Sequence, residues 1–135
     1  MLFIDYEKAF HRLSQKKLWE IMHENGFLGH TMEIIQSVYF RAHIAIDKGG
    51  QISNNSIKTN QGVRQGCPLS PALFNIYMDQ IIRLWQDELH TNFKIIGKTL
   101  NTILFAEDQV VFGNSEDELQ IPEYKLNQIA SKYNM

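Results

Sequence analysis

The sequence is short of the features that announce several protein classes. It has one cysteine, Cys67, so no disulfide can form within the chain and no zinc knuckle can be assembled from paired cysteines. A lone cysteine also fits a reducing compartment. It has three prolines and no low-complexity tract, which sets aside collagen-like and disordered classes. Its longest apolar runs fall far short of the ~20 residues that span a bilayer, so no membrane role is expected. The opening Met1-Leu2-Phe3-Ile4-Asp5 has neither the basic segment nor the long apolar segment of a signal peptide. Excess charge of either sign is also missing. Thirteen basic and fifteen acidic residues give −2, so no bulk cationic field marks a nucleic-acid binder. A local patch can still do that work.

What is present is a chain of 135 residues, 44% hydrophobic. That is enough for one domain, or part of one, with a core that needs no disulfide or metal. Leu2-Phe3-Ile4 reads as a short buried strand. Ser14 is placed to cap a helix carrying Leu18, Ile21 and Met22 on one face, with Gly26 at its C-terminal end. Met32, Ile35, Val38 and Tyr39 mark a second helix. Ala42 to Asp47 and Ile52 to Thr59 read as strands around Lys48-Gly49-Gly50-Gln51.

The segment Gln61-Gly62-Val63-Arg64-Gln65-Gly66-Cys67-Pro68 is a loop. Ser70-Pro71 then has the form of an N-cap followed by proline at the first helical position. The helix that follows is apolar nearly all round, from Leu73 through Trp85, and is expected at the centre of the domain. Phe93 to Ile96 is a short strand candidate. Leu100 to Phe105 and Val110 to Phe112 are strand-like runs, with Ala106-Glu107-Asp108-Gln109 between them. Ser115 and Glu118 form a capping-box pair ahead of a last helix, which Pro122 is expected to kink. Lys16-Lys17 reads as a solvated helix face.

Three features could carry chemistry. Asp5 closes an apolar strand, where a carboxylate is held rigidly and can face a cleft; a loop or capping aspartate is the plainer account. Glu107 and Asp108 are adjacent carboxylates between apolar runs. Two such groups repel and need a compensating cation, and hard divalent ions take oxygen ligands. An exposed hairpin tip explains them equally well. The loop from Gly62 to Pro68 offers an arginine, a glutamine and backbone N–H groups before a helix, a setting suited to phosphate. A tight entry loop is the plainer account there. Together, carboxylates from two strands and a polar loop opening a central helix are the parts of a two-metal phosphoryl-transfer site, with cations ~3.5–4 Å apart.

These residues carry a family resemblance. Phe3-Ile4-Asp5-Tyr6-Glu7-Lys8-Ala9-Phe10 resembles the first catalytic motif of the palm region of non-LTR (LINE-type) reverse transcriptases. Gln61-Gly62-Val63-Arg64-Gln65-Gly66-Cys67-Pro68-Leu69-Ser70-Pro71-Ala72-Leu73-Phe74-Asn75 resembles the second, almost residue for residue. Leu104-Phe105-Ala106-Glu107-Asp108 resembles the third, usually F/Y-A-D-D. The resemblance implies an α+β palm fold: an antiparallel sheet with helices packed on one face, incomplete at both ends. Residues 1–135 would form a partial reverse transcriptase domain, with most of the fingers and all of the thumb missing.

The resemblance also implies roles. Asp5, Glu107 and Asp108 would be the catalytic, metal-holding carboxylates for two Mg²⁺ or Mn²⁺ ions. The Tyr6 carbonyl would lie nearby. Phe10 would be the steric gate beneath the incoming sugar. Gln65, Gly66 and Arg64 would contact the nucleotide or its template partner. The partners would be an RNA template, a DNA primer and a deoxynucleoside triphosphate, in the nucleus and cytoplasm. This piece alone is expected to bind nucleic acid weakly or not at all.

Three departures stand out. Glu107 replaces the family's aspartate, and its extra methylene moves the carboxylate ~1.5 Å, one C–C bond. Metal sites hold their groups within ~0.5 Å, and a ~1 Å misplacement can cost ~10²-fold in rate. His11 stands where the family usually has another aspartate, and Pro122 lies inside a helix. The expected function is therefore a fragment of an RNA-directed DNA polymerase with little or no activity alone. The alternatives are a non-catalytic remnant of a decayed retroelement that binds metal weakly or not at all, and an interaction module if the exposed sheet and last helix leave a large apolar patch.

Overall fold

The computed structural model describes residues 1–40, 43–45, 47–52, 57–89 and 93–135. The elements run β1 (Leu2–Asp5), α1 (Ala9–Arg12), α2 (Gln15–Glu24), α3 (His30–Phe40), β2 (His43–Ile44), β3 (Asp47–Lys48), β4 (Gln51–Ile52), β5 (Ile57–Lys58), α4 (Ser70–Asp87), β6 (Lys94–Ile95), β7 (Lys98–Thr99), β8 (Thr102–Phe105), β9 (Asp108–Val111) and α5 (Asp117–Lys132). This is a mixed helix and strand fold with small antiparallel sheets, as the α+β reading expects.

The main sheet has three strands in the order β1-β9-β8. Both pairings are antiparallel, with Leu2 opposite Val111, Asp5 opposite Asp108, Thr102 opposite Val111 and Phe105 opposite Asp108. Alternation then sorts the side chains by face. Leu2, Ile4, Leu104, Gln109 and Val111 turn inward, where they join or abut the core. Phe3, Ile103 and Phe105 stay on the open face, Phe3 74% and Phe105 81% exposed. The face that carries Asp5 and Asp108 therefore also presents the exposed side chains of Phe3, Ile103 and Phe105.

The helix α4 packs against both α2 and α5. Leu73, Phe74, Tyr77, Met78, Ile81 and Trp85 are buried along it. It is not apolar all round, however. Asn75, Asp79 and Arg83 form an exposed stripe, with Arg83 Nε 2.7 Å from Asp79. Successive i+4 spacing of these polar residues was hidden by the density of apolar ones around them.

Caps follow the local sequence. The Ser14 hydroxyl accepts from the Lys17 N–H, starting α2. At the other end Gly26 takes φ +85, and the Gly26 and Phe27 amides donate to the His23 and Met22 carbonyls, a full Schellman ending. Ser115 accepts from the Glu118 N–H, and the Glu118 carboxylate reaches back to the Asn114 amide, so the capping pair forms one residue wider than the standard box.

Several expectations are corrected. Ser70 is the first residue of α4 rather than its cap, because its hydroxyl donates to the Arg64 carbonyl at 2.5 Å. The turn between the last two strands is Ala106-Glu107 alone, and Asp108 and Gln109 belong to β9. Pro122 lies inside α5, where the sequence put it, and what the sequence did not show is that the buried Trp85 indole donates to its carbonyl at 2.8 Å. Lys17 is not simply solvated: it donates to the Lys132 carbonyl and lies 4.6 Å over the Tyr133 ring. The glycine hairpin forms around Gly49-Gly50, while parts of its two flanking strands, Ala42, Ile46 and 53–56, lie outside the described residues.

Candidate active site

Three segments far apart in the chain meet at one end of the main sheet. The β1 strand delivers Asp5 to its last position, and antiparallel register sets Asp108 directly opposite. Partners in register project to the same face. The hairpin reaches that register through a two-residue turn, with Ala106 in the left-handed region at φ +52. An alanine there costs about 1–2 kcal/mol.

The polar loop is fastened to α1. The Gly62 N–H donates to the Leu13 carbonyl at 2.7 Å and the Val63 N–H to the Phe10 carbonyl at 2.8 Å. Gln15 adds a bond from its amide to the Gly62 carbonyl at 3.0 Å. Gly62 is required twice over. Its φ is +75, and a Cβ would stand 2.9 Å from both the Phe10 and His11 carbonyl oxygens. Within the loop, the Cys67 N–H donates to the Arg64 carbonyl and the Ser70 N–H to the Cys67 carbonyl. Buried Ser70 also lies 3.4 Å from the Tyr39 hydroxyl.

A cleft of about 780 Å³ opens between these parts. Its walls include Asp5 at the end of β1 and Tyr6 just after it, Phe10 from α1, Arg64, Gln65 and Gly66 from the loop, and Glu107 from the turn. Seven of the eight residues singled out from sequence thus border one space. Asp108, the eighth, does not line it but faces Asp5 across the strand pair. The first residues of α4, Ser70 and Pro71, also line the cleft, so a helix start faces it. The Phe10 ring stacks on Phe74 of α4, with centroids 4.2 Å apart and planes 11° apart, which fixes its orientation.

The arrangement stops short of a closed metal cage. Among the described residues no group of three His, Cys, Asp or Glu side chains could hold a metal ion. The donor chemistry nevertheless suits Mg²⁺, which is bound through one or two carboxylates plus substrate phosphates rather than by an all-protein cage. Asp5 and Asp108 supply two oxygen-donor groups on neighbouring strands. Glu107, one residue before Asp108 and half-buried, would be the third.

Sequence reasoning missed Gln109. It is 1% exposed, accepts a 2.7 Å hydrogen bond from the Tyr6 hydroxyl and donates one of 2.9 Å to the Thr102 hydroxyl. Alternation read backwards from Val111 would have turned it inward. Burial pushes the Tyr6 phenol well above its ordinary range. Burial likewise pushes Tyr77 up to about 12, partly offset by the Ser14 N–H it receives. Lys8, His11 and Cys67 also border the cleft and were not singled out as site residues.

Comparison with known proteins agrees with the three motifs. The family profile described as "Reverse transcriptase (RNA-dependent DNA polymerase)" matches residues 1–135, so the chain belongs to the reverse transcriptase family. Its relatives narrow the group to non-LTR retrotransposons. The chain is 30% identical over 118 residues to the retrovirus-related Pol polyprotein from type-2 retrotransposable element R2DM of Drosophila melanogaster, covering 87% of this chain and 11% of that protein. It is 29% identical over 119 residues to a Pol polyprotein from type-1 retrotransposable element R2 of Popillia japonica, covering 88% and 19%. A Nasonia vitripennis R2 relative is 26% identical over 117 residues, covering 87% and 11%. The chain therefore spans a tenth to a fifth of these relatives. Among the described residues no helix is long and apolar enough to cross a membrane.

Proposed function

We propose that this chain is the palm portion of a non-LTR RNA-directed DNA polymerase, with most of the fingers and the thumb supplied by other parts of a longer protein. One observation carries the reading: Asp5, Phe10, Gln65 and Glu107 border a single cleft, and Asp108 lies in register with Asp5. In the reaction, a primer 3′-oxygen attacks the α-phosphate of a deoxynucleoside triphosphate. A P–O bond forms there, the bond to the β-phosphate breaks, and pyrophosphate leaves while the hydroxyl proton is lost.

Asp5 and Asp108 would hold the divalent cations, with Glu107 as the third carboxylate. Mg²⁺ or Mn²⁺, when bound, would supply positive charge for the attacking and leaving oxygens. Phe10, clamped on Phe74, would crowd a 2′-hydroxyl and favour deoxynucleotides. Arg64, Gln65 and Gly66, with the start of α4, would orient the triphosphate and its template partner. The open sheet face beside the aspartates would receive the primer and RNA template.

Isolated residues 1–135 extend a primer poorly on this account, because Glu107 displaces one carboxylate and few clustered cations neutralise phosphates. Primer extension on an RNA template, with the unmodified chain and with Glu107→Asp, tests it. The account expects Glu107→Asp to raise extension and Asp5→Asn to remove it. Robust synthesis that survives Asp5→Asn refutes the assignment. Glu107 itself favours a second reading, a non-catalytic remnant, which predicts no gain from Glu107→Asp in any longer form of the protein.

A further inference from the structure

The two buried polar side chains Tyr6 and Gln109 follow, residue for residue, the two aspartates that face each other. Tyr6 comes directly after Asp5, and Gln109 directly after Asp108. Their side chains meet on the inner face of the sheet, behind the aspartates. The Tyr6 hydroxyl donates to Gln109 Oε1 at 2.7 Å, Gln109 Nε2 donates to Thr102 Oγ1 at 2.9 Å, and Thr102 Oγ1 donates to the Val110 carbonyl at 2.9 Å. The chain of bonds starts just past β1, crosses β9 and reaches β8. A hydrophobic pair would fill the space as well, and a glutamine in a core is costly unless fully bonded. What a hydrogen-bonded pair adds is a fixed relative position for the strands that carry it.

We propose that Tyr6, Gln109 and Thr102 are positioning residues, a buried brace that holds Asp5 and Asp108 at the separation a divalent cation needs. The inference rests on the reading of Asp5 and Asp108 as metal ligands and deepens it. Groups behind metal ligands typically change affinity 10–100-fold when removed.

The test is Mn²⁺ binding by electron paramagnetic resonance, with thermal unfolding alongside, on the unmodified chain, Asp5→Asn, Tyr6→Phe and the double variant Tyr6→Phe/Gln109→Leu. Removing both polar partners together leaves neither one stranded, so the double variant is expected to stay close to the parent in stability. A structural role alone would then leave Mn²⁺ affinity unchanged. The brace predicts a loss of about tenfold or more in the double variant while it remains folded. If it fails to fold, Tyr6→Phe is read in its place, with the same expected direction. Affinity within about twofold of the parent in a folded variant overturns the brace and leaves the metal-ligand reading standing. Equal binding by the parent and Asp5→Asn overturns both.

Discussion

Replacing Gly62 with alanine tests how the polar loop is held against the first helix. The new methyl would lie 2.9 Å from the Phe10 and His11 carbonyl oxygens and 3.0 Å from the His11 Cα, all backbone atoms. None of these can swing aside as a side chain would. Overpacking of this kind costs about 1–3 kcal/mol. The positive φ of +75 adds about 1–2 kcal/mol for any residue with a Cβ. The sum is about 2–5 kcal/mol, or roughly 8–20 °C in Tm for a chain of this length. Gly66 supplies the control. It has nearly the same φ, +77, but a Cβ there would meet nothing within 4 Å. Gly66→Ala should therefore lose only about 1–2 kcal/mol, roughly 4–8 °C. Thermal unfolding followed by circular dichroism measures both. Equal losses at the two glycines would refute the argument, because only the close approach of the loop to α1 separates them.

Other outcomes follow from particular residues. Ala106→Gly relieves the left-handed strain of the 106–107 turn and should raise stability by about 0.5–1 kcal/mol after the entropy cost of glycine, read as a higher Tm; a lower Tm contradicts the turn geometry. The Tyr6 and Tyr77 phenols are both held neutral by burial, Tyr77 to about 12. Unfolded phenols ionise near pH ~10, so the stability that the neutral phenols contribute is intact below that pH. It falls as pH rises from there toward 12 and beyond. Urea unfolding between pH 9 and 12 measures this, Tyr77→Phe should flatten the decline, and a level profile in the parent would overturn it. Phe74→Ala removes the surface against which Phe10 stacks, and should cost about 3–5 kcal/mol of stability by chemical denaturation; a loss under about 1 kcal/mol would show that the pair is not packed.

Most of the residues that border the candidate cleft were legible in the sequence because they sit where local rules are strong. Asp5 ends an apolar run, and Gly62 and Gly66 punctuate a loop ahead of a capped, proline-started helix. The family motifs then named Phe10, Gln65 and the carboxylates. What escaped depends on contacts between distant segments. The hairpin register moved Asp108 and Gln109 from a turn into a strand, since β1 pairs with them along their whole length. Alternation could have turned Gln109 inward, but its partners Tyr6 and Thr102 come from segments that local patterns do not bring together. Ser70 gave up its capping role because Arg64, folded back above it, offered a carbonyl. No local rule foresaw that the Trp85 indole would bond the Pro122 carbonyl.

The most direct measurement is anomalous diffraction from crystals of this chain soaked in Mn²⁺. The account predicts a manganese peak between the Asp5 and Asp108 carboxylates, at the end of the sheet beside the Glu107 turn, and its loss in Asp108→Asn. A well-ordered crystal saturated with Mn²⁺ that shows no density between those two aspartates, or the same peak in the variant, would contradict it.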